Sequence, residues 1–155
     1  MFNVKKFKKR ARGNLIAIIF ATIFLIFSIV LLSQEENVRN WILSWNIPST
    51  IPEELRIFIV DNLFLVFKLV ADSGAWLTIL IIGIRTLFML FSFKNLFLLL
   101  RFLLFFQLIS ILSYFLLSGL SYIHSIEFLG YSLPIIIFIL LITTSFIHIM
   151  ARKIS

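Results

Sequence analysis

The chain has no cysteine, which excludes disulfides, thiolate nucleophiles and cysteine-held metals. It lacks a glycine-rich phosphate loop, a GxSxG elbow and an HExxH pair, so none of the common catalytic signatures is present. No internal repeat or low-complexity linker divides it. Histidine occurs twice, at His124 and His148, and a metal site needs several converging ligands. Negative charge is scarce as well. Seven acidic residues stand against fourteen lysines and arginines, a net +7, and none precedes Glu35. In a water-soluble protein that balance would point to nucleic acid; here the positions of the charges matter more than their sum, and no nucleic-acid partner is expected.

What the chain has in excess is apolar surface. Of its 155 residues 61% are hydrophobic, 19 are phenylalanine, and the mean hydropathy is +1.11. Soluble domains run about 45–50% apolar, so the surplus must face something other than water, and a bilayer is the simplest solvent for it. A helix needs roughly 20 apolar residues to cross the hydrocarbon. The run "LIAIIFATIFLIFSIVLLS" over 15–33 supplies nineteen without a charge. A cleaved signal would have a shorter apolar part, about 7–15 residues, ending at small residues. "IVLLSQEE" offers no such site, so this span is expected to remain as an anchor.

Three further spans are expected at about 76–93, 102–122 and 133–150, the last started by Pro134 in a position helices tolerate. Between the first two spans, Pro48 and Pro52 prevent one continuous helix over the polar segment 34–75. Trp41 and Trp45 suit the headgroup level. Pro52-Glu53-Glu54 reads as a helix start and Ser73-Gly74 as its stop, with Asp61, Lys68 and Asp72 on one face. The expected fold is therefore an all-α integral membrane protein. One membrane domain over 1–155 comprises four transmembrane helices and an interfacial amphipathic helix at about 55–72.

Sidedness follows from the charges. With four spans, the basic N-terminal tail 1–14, Arg85, Lys94, Arg101 and the tail 151–155 fall on one side, eleven cations and no anion. The segment 34–75 and the loop 123–132 carry every acidic residue and three cations. Lysine and arginine concentrate on the inner side, so both termini are expected inside, in a bacterial plasma membrane or an organelle inner membrane. Making 55–71 a fifth span would move Lys94, Arg101, Arg152 and Lys153 outward, against that bias. His124 and His148 fall on opposite sides, so no metal and no cofactor is expected.

Lys94 and Arg101 read as inner-side anchors around a short turn, their stems along lipid and their heads in water. Arg85 lies nine residues before Lys94, about 13 Å deeper, where an arginine costs at least about 2.5–3.5 kcal/mol. Thr78, Arg85 and Ser92 recur at seven-residue intervals, a face expected to turn inward. Arg85 then either snorkels or meets a partner: Asp61, Asp72 or a carboxylate of another subunit. Gln107, Ser110, Tyr114 and Ser118 form a polar seam down the third span, read first as helix-packing glue and second as the lining of a path. Ala17, Ala21 and Ser28 offer a smaller packing edge on the first span.

The run "VFKLVADSGAWLTILII" resembles the start of the second helix in phosphatidic-acid-phosphatase-type enzymes over less than a fifth of the chain. That family's Lys/Arg-Pro, Pro-Ser-Gly-His and Ser-Arg/His motifs are missing here, so the resemblance implies no activity. The expected role is a non-catalytic subunit of a membrane complex whose partners are the lipid bilayer and other membrane proteins or further copies of itself. The alternative is a small oligomeric transporter or channel lined by Arg85 and the third-span polar face.

Overall fold

The computed structural model describes residues 3–45, 47–93, 96–124 and 127–154 and, for 122, 124 and 127–131, the backbone alone. Among the described residues the chain is all helix, with no strand: α1 (Val4–Ser33), α2 (Glu35–Leu43), α3 (Glu53–Ser92), α4 (Leu98–His124) and α5 (Glu127–Lys153). All but α2 are long and apolar enough to cross a membrane, by length and composition.

Three boundaries differ from expectation. The basic N-terminal segment is helical and continuous with the first span, because the Asn3 side-chain oxygen accepts the Lys6 amide at 3.0 Å and caps the helix. Ser73-Gly74 does not stop a helix, so no separate interfacial helix at 55–72 exists. α3 runs through as 40 residues, a rod about 60 Å long and about twice the hydrocarbon thickness. The Ser73 hydroxyl folds back on the Leu69 carbonyl at 2.6 Å and so keeps the helix satisfied. Gly74 serves close packing: a Cβ there would fall 2.7 Å from the Phe24 ring. Pro134 lies inside α5 rather than at its start, at the loss of one amide hydrogen bond. The turn at Lys94-Asn95 lies outside the described residues.

The packing resolves into two compact units, one of Met1–Thr22 with Trp76–Ser155 and one of Ile23–Ala75. In the first, buried side chains recur at alternating steps of three and four residues on every helix. α1 buries Phe7, Ala11, Asn14, Ile18 and Ala21; α3 buries Ile79, Ile82, Thr86 and Met89. α4 buries Leu100, Leu104, Gln107, Ile111, Tyr114 and Ser118; α5 buries Ile137, Leu140, Thr144, Ile147 and Ala151. Such a spacing is the seam of left-handed helix pairs, the common geometry of membrane bundles. One apolar cluster joins Phe7, Met89, Phe93, Leu100, Ile147 and Ala151. It gathers the start of α1, the end of α3, the start of α4 and the end of α5 at one end of the unit.

In the second unit, α2 packs on the first half of α3 through Ile42, Val60 and Phe64. Arg39 holds Glu35 at 2.8 Å, pairs with Asp61, and lies 4.8 Å over the Phe64 ring. Asp72 accepts the Ser28 hydroxyl at 2.7 Å. The acidic residues of the expected amphipathic face therefore meet neighbouring helices.

If α3 is unbroken, backbone amides across 71–76 in detergent-solubilised protein will exchange as slowly as those elsewhere in the helix. Fast exchange confined to 73–75 would mean a break there.

Candidate functional site

Polar groups buried in an apolar bundle have no water to fall back on, so each needs a partner from the protein. In the first unit they are supplied at two helix pairs. α1 and α3 run antiparallel: Phe7 meets Phe93 edge-on at 5.4 Å, and Asn14 Nδ2 donates to Thr86 Oγ1 at 3.3 Å, with Met89 Sδ at 3.8 Å. One residue along, Arg85 crosses the α1 backbone. Its Nη2 donates to the Arg10 carbonyl at 3.2 Å, using the second lone pair of an oxygen already in the helix ladder. The crossing is possible because position 13 is glycine: a Cβ there would sit 2.6 Å from the Arg85 Cζ. Arg10 turns its own guanidinium toward Phe88 and Phe93, 5.8 and 5.9 Å from the ring centres.

Arg85 thus lies level with the place where the charged run of α1 gives way to its apolar run. Its partner is a backbone carbonyl, while Asp61 and Asp72 are engaged by Arg39 and Ser28. Among the described residues neither Arg10 nor Arg85 forms an ion pair, so both charges stand in full. Of the face expected to turn inward, Thr78 and Arg85 are half-buried but Ser92 is exposed. Beside Ser92 the buried positions are Met89, Leu90 and Phe93.

The second polar contact joins α4 to α5. Gln107, fully buried, donates from Nε2 to Thr144 Oγ1 at 2.9 Å, and Thr144 donates to the Leu140 carbonyl at 2.6 Å. Ser110, Tyr114 and Ser118 are buried on the same side of α4, with the Ser110 hydroxyl on the Phe106 carbonyl at 2.9 Å. Arg101 is half-buried beside Phe97, Phe102 and Phe105. Lys94 lies outside the described residues. On α1, Ala21 and Ser28 are buried and Ala17 is half-buried.

Sequence reasoning missed Asn14, Thr86, Thr144 and Gly13. The signal for Asn14 was its place in the seam Phe7, Ala11, Asn14, Ile18, Ala21. Nothing local marks Gly13, whose role depends on a side chain that arrives from α3. No group of three or more potential metal ligands forms among the described residues. No protein-family model, curated protein or solved structure matches the chain.

Gly13→Leu should displace the Arg85 guanidinium and destabilise the folded protein by about 1–3 kcal/mol. The double variant Gly13→Leu/Arg85→Ala should recover part of that loss in detergent unfolding; purely additive losses would mean the two positions do not meet. A double-mutant cycle on Gln107→Ala and Thr144→Ala should give a coupling of about 0.6 kcal/mol, and zero coupling would remove that hydrogen bond.

Proposed function

We propose that the chain is a non-catalytic integral membrane subunit that holds or stabilises partner membrane proteins through its outward apolar faces. One observation carries the reading: the polar side chains buried inside the first unit face protein, Asn14 on Thr86 and Gln107 on Thr144 across helix pairs and Ser110 on its own helix. Gln107, Thr86 and Thr144 are at most 1% exposed, whereas Phe20, Phe88, Phe91, Phe102, Phe105 and Phe146 point outward. A transport path lined by the α4 polar seam would need Gln107 and Tyr114 turned to a lumen, and both are sealed against protein. The surface left to act is the apolar one, where contacts with partner helices rest on close packing.

The same geometry supports an inner location for both termini. Phe7, Phe93, Leu100 and Ala151 share one cluster, so the basic start of α1, Arg101 and the Arg152-Lys153 end of α5 gather at one end of the first unit. Cations grouped in this way mark the inner face.

Tagged protein extracted in mild detergent should carry stoichiometric companion proteins; a stable lone monomer would overturn the accessory role. A carboxyl-terminal tag should resist an impermeant reagent in intact cells, and labelling there would reverse the orientation.

A further inference from the structure

Where α1 passes α5, two i, i+4 pairs face one another across a cavity of about 460 Å³: Lys8 and Arg12 on α1, His148 and Arg152 on α5, with Ala151 at the wall. Ala11 and Ala151, both buried in the adjoining core, let the helices approach and bring the basic side chains to facing walls. The cluster combines a cavity between two helices, cations without an anionic partner and a sealed histidine nitrogen.

Among the described residues, the side chains of Lys8, Arg12 and Arg152 make no hydrogen bond and no ion pair. The His148 Nδ1 is sealed from solvent and also lacks a hydrogen-bond partner. Three cations therefore line one open cavity, Lys8 half-buried and Arg12 and Arg152 exposed, with no anion among the described residues to offset their mutual repulsion. Helix energetics do not explain them either. The first turns of α1 carry Lys5, Lys6 and Lys8 and no acidic residue, although the positive end of a helix dipole favours anions.

We propose that this cavity binds a phosphate group. An arginine fork matches two phosphate oxygens at once, and Arg12 and Arg152 supply two forks from opposite walls, with Lys8 as a third charge. The volume lies in the range of small-ligand pockets, about 300–1,000 Å³. The phosphate comes from an acidic lipid headgroup or from a phosphate compound in solution, and the surroundings favour the lipid. Gln107 opposes Thr144 on antiparallel α4 and α5, which brings the exposed Leu98, Phe102 and Phe105 of α4 level with His148–Arg152. Cations beside an exposed apolar band suit a molecule with an anionic head and hydrocarbon tails, and basic pockets between membrane helices take such heads.

The site stands or falls independently of the accessory role. The test compares wild-type protein with Arg12→Gln/Arg152→Gln and with a control that removes equal charge from the same end, Lys5→Gln/Lys153→Gln. Native mass spectrometry from micelles doped with phosphatidylglycerol or phosphatidylcholine reads lipid retention. A parallel titration with inorganic phosphate reads the shift in thermal unfolding. Wild type and control should retain phosphatidylglycerol in preference to phosphatidylcholine, and the cavity pair should bind it about tenfold more weakly. Lys8→Gln alone, which leaves the α1–α5 contact intact, should weaken retention in the same direction and covers the case in which the double variant fails to fold. If inorganic phosphate stabilises wild type but not the cavity pair, the site holds and its ligand is soluble; if only the lipid binds, the ligand is the headgroup. Equal loss in both double variants, or no binding of either probe, would overturn the proposal.

Discussion

With no side chain at Gly13, the Arg85 guanidinium lies against the α1 backbone and bonds the Arg10 carbonyl. The contact fixes several things together. It sets the antiparallel register of α1 and α3, so that Asn14 finds Thr86 one residue away. It also brings Arg85 level with the last charged turn of α1. A buried carboxylate would have neutralised the arginine; a carbonyl leaves its charge intact while satisfying one donor. The cost of moving an arginine away from water is thereby kept within reach of one hydrogen bond and one shared polar level.

The rest of the first unit follows from the scarcity of such partners in an apolar interior. Each helix keeps its polar side chains among the apolar residues of a narrow seam, and Phe20, Phe88, Phe91, Phe102, Phe105 and Phe146 lie outside it while Phe7 and Phe93 are buried. Pairing is economical but incomplete. Asn14 and Gln107 each donate to a threonine, yet Asn14 Oδ1 and Gln107 Oε1 are sealed without a donor. Packing of small residues and apolar contact therefore carries more of the association than hydrogen bonding, in keeping with the modest worth of interhelical hydrogen bonds in membranes. Lys8, Arg12 and Arg152 contrast with this economy. They line an open cavity without an anionic partner among the described residues, which gives that end of α1 and α5 an electrostatic demand.

The second unit uses ordinary means. Arg39 reaches two carboxylates and covers an aromatic ring; Trp41 and Trp45 stack edge-on at 4.9 Å. Asp72 engages a serine rather than a cation. The acidic residues that read as a solvent-facing stripe on an isolated helix are structural contacts once α1 and α2 are beside it.

Composition and charge pattern alone determined the class: all-helical, with four helices long and apolar enough to cross a membrane, because apolar run length and proline placement are local properties. The α4 polar face was legible for the same reason, since side chains at steps of three and four must share a side. Tertiary contact decided the remainder. Ser73-Gly74 reads as a stop until the Phe24 ring shows why a glycine is needed in mid-helix. Arg85 reads as a lone charge until Gly13 supplies the space and Arg10 the acceptor. Lys8 and Arg12 stand about 140 residues before His148 and Arg152 along the chain and line one cavity only when α1 and α5 meet. Such groupings depend on which helix faces which, and no periodicity within a single helix carries that information.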